Sequence, residues 1–162
     1  MTANIIRFIG ILLMSLLVGT MFGIWLGFNP SGLTAAAYIE EQQNAIRALN
    51  TALPILGAAC VLLTAALAVL TKDDRRARNL LMVAVICLVV AGLITRFENQ
   101  PINSQVMTWS AQAPAANWMD LRDTWWHWHI LRTVAGIGAL ILTLLAALGR
   151  WRPGSHPNAS AT

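Results

Sequence analysis

An all-α, four-helix transmembrane bundle is the fold class this sequence predicts, and three observations predict it. Hydrophobic residues make up 57% of the 162 residues, Asp, Glu, Lys and Arg only 11%, and mean hydropathy is +0.60. A soluble domain carries about 25% charged residues, so this composition excludes the ordinary cytosolic, disordered and collagenous classes. The charges fall mostly between four apolar runs, each close to the ~20 residues that cross a hydrocarbon core as a helix. No alternating barrel pattern interrupts them, and a helix satisfies its own backbone in lipid.

The first span, 8–28, holds 21 uncharged residues and stops at Asn29-Pro30. Arg7 and the later Ala35-Ala36-Ala37 loosely resemble a signal peptide, but the run is too long for an h-region and a polar gap precedes the alanines. The second span, 51–70, is uncharged and ends at Lys72-Asp73-Asp74. The third, 80–95, has only 16 residues before Arg96 and must borrow a flanking turn or cross a thinned bilayer. The fourth, 125–148, ends at Gly149-Arg150. Cys60 and Cys87 lie inside apolar runs and read as small buried hydrophobes, with no disulfide framework or zinc spacing.

Orientation follows from the basic residues. With a cytoplasmic N-terminus, that side collects Arg7, Lys72, Arg75, Arg76, Arg78, Arg150 and Arg152, seven of the eleven Lys and Arg. A multi-pass cell-membrane protein with both termini cytoplasmic is therefore expected, with membrane lipids as its surroundings. The net charge of +4 and the pI near 10 reflect this topology and call for no nucleic-acid partner. The chain reads as one membrane domain, 1–152, and a mobile cytoplasmic tail, 153–162, rich in Pro, Gly, Ser and Asn. Gly19, Gly23 and Gly27 form a small-xxx-small series suited to close helix packing, within the bundle or between protomers of a homo-oligomer.

Two outer segments, 29–50 and 96–124, are long, and loops of that length carry function or are disordered. Five of the seven tryptophans fall within 109–128, which argues for order. Residues 35–49 read as a short helix, with Tyr38, Gln42, Ala45 and Leu49 on one face. The spans thus form a bundle capped at its extracytoplasmic end by two structured loops.

Polar residues gather at that end. Arg122, Trp125, His129 and Arg132 are spaced 3, 4 and 3, an arc of about 80° on a helix. Arg132 lies two turns into an apolar helix, where a charge normally faces the interior with a partner. Asn99 and Asn103 are expected as its hydrogen-bond partners, and Glu98, Glu41 or Glu40 as its charge partner. A buried Arg, a His, amides and indole walls suit a planar, oxygen-bearing, lipophilic aromatic molecule. The plainer readings are an interfacial tryptophan belt and a structural Arg132 ion pair. His127 and His129, two apart, point about 200° from each other on a helix, so one ion cannot take both. No metal site is assigned, although a metal- or haem-associated protein using His127 or His129 is one alternative. A non-catalytic binding or accessory protein is another.

Asn99-Gln100-Pro101-Ile102-Asn103 is similar to the Asn-x-Pro-(Leu/Ile)-Asn motif of the anthrone-oxygenase-like family of small four-span membrane proteins. Trp118, followed by Trp125-x-x-Trp128-His129-x-x-Arg132-Thr133, resembles that family's Trp-x-x-Trp-(Asn/His)-x-x-Arg-Thr. Glutamines ahead of Asn50 and Pro54 resemble its stretch before the second span more loosely. The resemblance covers the chain in span number and spacing, and its specific part runs from Asn99 to Thr133. It implies insertion of oxygen into an anthrone to give an anthraquinone, with no metal, flavin or other cofactor. It further implies His129 as the base and Arg132 as the group stabilising the enolate, with Asn99 and Asn103 as further donors and the tryptophans holding the rings. Many members have Asn where this chain has His129.

Overall fold

A computed structural model of the chain describes residues 2–149. Arg150, Arg152 and the tail expected at 153–162 lie outside the described residues. Helix α1 spans Thr2–Gly27, and the chain leaves it through a short 3-10 turn, Pro30–Gly32. Asn29 closes that turn by accepting from the Ser31 backbone N–H and hydroxyl, at 3.1 and 2.8 Å. Thr34 then caps α2, Ala35–Leu49, by accepting from the Ala37 N–H. Helix α3 runs Ala52–Leu70, with Pro54 in its first turn, where a missing N–H costs no helical bond. Asp74 accepts from the Ala77 N–H and caps α4, Arg75–Ile94.

The helices run past the apolar spans read from the sequence. Beyond Ile94 the chain makes a π-helical turn, Thr95–Asn99, and continues as α5, Gln100–Val106. The result is one helical run of 32 residues, with no break at Arg96. Arg96 keeps its side chain exposed, so it needs no helix end. Pro101 brings no N–H, and the wider turn before it, in which the Gln100 N–H reaches the Thr95 carbonyl, places it in the first turn of α5. Helix α6 begins at Trp118 and runs to Leu148. The long connection expected over 96–124 is therefore helical at both ends.

The four long helices form a ring: α1 packs on α3, α3 on α4, α4 on α6, and α6 on α1. Met14, Leu17, Val18, Met21, Cys60, Leu88 and Ala139 fill its middle. At one end α2 packs over α5, burying Tyr38, Ile39 and Ile46 with Ile102, Val106 and Trp125. Outward faces carry exposed Leu16, Leu62, Ile86 and Leu145. A helix apolar both inside and outside is one whose solvent is hydrocarbon. Thr64, Thr133 and Thr143 are buried and donate to the carbonyl four residues earlier, so their hydroxyls need no water. Gly19, Gly23 and Gly27 lie on the outer side of α1, where an added Cβ would meet nothing within 4 Å. They make no close packing inside the bundle.

Candidate functional site

The α6 stripe faces inward along its whole length: Arg122, Trp125, His129 and Arg132 are all buried, His129 completely. The His129 ring is fixed from both sides. Its Nε2 lies 3.1 Å from the Met21 carbonyl oxygen of α1, and Nδ1 lies 2.9 and 3.3 Å from Nη2 and Nε of Arg132. A carbonyl only accepts and a guanidinium only donates, so the hydrogen sits on Nε2 and the lone pair on Nδ1. Trp125 and Trp126 lie nearly parallel to the imidazole, with centroids 5.1 and 5.7 Å away. Arg132 then reaches the π-helical turn, donating from Nη1 to the Thr95 hydroxyl at 3.2 Å, while that hydroxyl donates to the Ala91 carbonyl of α4.

A second network ties α2 to the same place. Trp125 donates from Nε1 to Asn103 Oδ1 at 2.8 Å, and Gln42 Nε2 approaches the same oxygen at 3.4 Å. Asn103 in turn donates to Asn50 Oδ1 at 2.8 Å, and Asn50 donates to Gln100 Oε1. Asn99 donates to the Trp125 carbonyl. The π-helical turn makes this convergence: it turns Thr95 toward Arg132 and Asn99 and Asn103 toward Trp125.

Between the two networks lies a cavity of about 300 Å³. This is the lower end of the size range of small-molecule pockets. Its polar wall is Gln42, Asn50, Thr95, Gln100, Asn103, Trp125 and Arg132, with Arg96 of the π-helical turn at its outer edge. Leu17, Met21, Leu53, Val61 and Leu88 supply the apolar wall; Gly92 leaves space that a side chain would fill, whereas a Cβ at Gly136 would already touch Val18 and Met21 of α1.

Of the residues expected from sequence, Arg132, Asn103 and Trp125 come together on this wall. His129 and Asn99 stand behind it, buried but not lining the cavity. Arg122 and Trp118 form a separate pair: the guanidinium sits 5.0 Å over the indole and is ion-paired to Asp123 at 2.8 Å, next to Tyr38. Glu41 is exposed, because it lies 100° round α2 from the inward-facing Gln42.

The carboxylate expected beside Arg132 is not there. Among the described residues no Glu or Asp forms an ion pair with it; His129 and Thr95 take its hydrogen bonds in place of Asn99 and Asn103. The physical reason is local: a histidine three residues earlier presents a lone pair within the arginine's own helix turn.

Gln42 and Arg96, expected near this end of the bundle, line the cavity, and Asn50 and Thr95, which spacing does not mark, belong to the site as well. Thr95 had a signal, since it closes the third apolar span at the depth of Arg132. Among the described residues three buried side-chain polar atoms have no partner: Tyr38 Oη, Gln42 Oε1 and Asn99 Oδ1. Burial pushes the Tyr38 phenol above its ordinary pKa, opposed in part by Arg122, so it stays protonated at neutral pH. His127 is exposed and hydrogen-bonded through Nδ1 to the Asp123 carbonyl at 2.7 Å. Among the described residues no three His, Cys, Asp or Glu side chains gather where they would hold a metal ion.

The model of the anthrone oxygenase family matches residues 42–142, more than half of the chain. The chain belongs to the anthrone oxygenase family. No curated protein and no solved structure matches it significantly. Family membership and the four long apolar helices together make it a multi-pass membrane protein. The segment matched by the anthrone oxygenase model contains every polar residue of the cavity wall, from Gln42 to Arg132. The α1 contribution to the cavity, Leu17, Met21 and Ile24, lies outside it.

Proposed function

We propose that this anthrone oxygenase family member binds a lipophilic aromatic or quinol-like molecule in the cavity and oxygenates it. The carrying observation is Arg132, a buried guanidinium on the cavity wall with no carboxylate among the described residues to neutralise it. Such a group is built to hold an oxygen that gains negative charge. An anthrone ionises at its methylene to an enolate, whose oxygen Arg132 holds with N–H groups not engaged by His129 or Thr95. The proton leaves to water at the cavity mouth. Dioxygen adds to the carbon, the methylene becomes a carbonyl, and the second oxygen atom leaves as water. His129 acts here as a positioning residue: its lone pair and the Met21 carbonyl fix the fork of Arg132. The cavity is placed at the extracytoplasmic end, with both termini cytoplasmic.

The test is oxygen uptake by the full chain in lipid nanodiscs supplied with 9-anthrone. The expected result is protein-dependent uptake of one O₂ per anthraquinone formed. A second reading, binding without turnover, is favoured by one observation. Among the described residues the cavity wall carries no histidine and no carboxylate to serve as a base. Saturable binding of anthrone with no uptake above the protein-free rate selects that reading.

A further inference from the structure

Arg96 shares the cavity with Arg132 but stands differently. It follows Thr95, the residue that Arg132 touches, and lines the cavity at its edge with its side chain exposed. Among the described residues it has no ion pair and no side-chain hydrogen bond. Glu98, two residues on, projects to another side of the helical run. Around Arg96 the α4 surface is apolar: Val89, Leu93 and Phe97 are exposed. A cation set in such a surface is expensive unless it meets an anion or water. Gly92, one turn earlier, also lines the cavity, and an added Cβ there would meet nothing within 4 Å. The cavity is therefore open beside Arg96.

We propose that the cavity takes an amphiphilic aromatic acid, whose ring oxygen meets Arg132 and whose carboxylate meets Arg96 at the mouth. This rests on the small-molecule reading above and names the ligand class more narrowly. The argument is charge complementarity. Two guanidinium groups face one mostly apolar space, and among the described residues no carboxylate pairs with either of them or lines that space. A neutral polycycle satisfies only the inner one. A carboxylate on the far edge of the ring system satisfies the outer one through a two-pronged hydrogen-bonded pair. Arg96 is thus a specificity-determining residue and takes no part in the oxygen chemistry.

The experiment compares two isosteric probes, anthraquinone-2-carboxylate and anthraquinone-2-carboxamide. Binding to the full chain is followed by quenching of tryptophan fluorescence, in nanodiscs of zwitterionic phosphatidylcholine. The wild type is expected to bind the carboxylate about tenfold more tightly than the amide, the size of one charge-assisted hydrogen bond. Arg96→Gln, at an exposed position, should erase that ratio and leave amide affinity within about twofold. Arg96→Lys should keep part of the ratio. A wild-type ratio near one, or a ratio that survives Arg96→Gln, overturns the proposal while leaving the small-molecule reading standing. Binding of neither probe by the wild type overturns the small-molecule reading itself, and this proposal with it.

Discussion

Arg132 donates to Nδ1 of His129 at 2.9 Å, and the opposite ring nitrogen of His129 donates to the Met21 carbonyl. The contact turns an imidazole into a bracket between α1 and the guanidinium. It also spends the one lone pair that a catalytic base would need. On the function proposed above, the residue that resemblance marks as a base orients a cation instead.

Replacing His129 tests that bracket. His129→Leu removes the acceptor of a buried arginine and should destabilise the protein by about 2–3 kcal/mol. His129→Asn keeps an oxygen able to accept from Arg132 and should recover at least half of that loss. Urea or guanidinium unfolding in mild detergent measures both. Equal losses in the two variants would show that the hydrogen bond to Arg132 is not what His129 supplies.

Gly92 tests the cavity without touching a polar group. An added Cβ meets nothing within 4 Å, and glycine is about 0.8–1.0 kcal/mol worse than alanine inside a helix. Gly92→Leu should therefore melt no lower than wild type while losing at least tenfold in affinity for anthraquinone, because its side chain occupies the cavity mouth. Unchanged affinity would move the ligand elsewhere.

Tyr38 gives the pH dependence. Its buried hydroxyl has no partner, and burial raises its pKa above the ordinary value of 10.0. The unfolded chain releases this proton near pH 10 and the folded chain only at higher pH. Unfolding is thus favoured progressively as pH rises above 10, and nothing changes below it. Tyr38→Phe should remove this alkaline loss and cost no more than about 0.5 kcal/mol at pH 7, since no hydrogen bond is broken. Stability curves from pH 7 to 11 for both proteins make the comparison.

Topology is tested by labelling. With the 71–74 connection cytoplasmic, a cysteine placed at Lys72 in a chain lacking Cys60 and Cys87 should react with an impermeant maleimide only after the cells are opened. Labelling in intact cells would invert the orientation.

The fold was legible because lipid imposes one rule on the whole chain. Four apolar runs have no option but helices, and the α6 stripe of Arg122, Trp125, His129 and Arg132 follows from periodicity alone. What was not legible depended on the π-helical turn. Reading Arg96 as the end of a span treats a charge as a stop. One extra residue in the turn lets the helix continue, and only that turn brings Thr95 to Arg132. The same local geometry explains the missing carboxylate. Glu40, Glu41 and Glu98 have suitable charge, but a lone pair three residues away on the same helix is nearer than any of them. Gln42 and Asn50 were visible as polar residues near the mouth, yet their pairing with Asn103 is a long-range fact that spacing does not encode.

The central claim is that Arg132 holds the oxygen of a ligand in this cavity. Its most direct test is the affinity of anthraquinone, read by tryptophan quenching, for wild type, Arg132→Lys and Arg132→Gln in nanodiscs, with folding of each checked by circular dichroism. Both variants should stay folded, Lys should weaken binding about tenfold for loss of the planar fork, and Gln should weaken it at least as much. Wild-type affinity in both folded variants would contradict it.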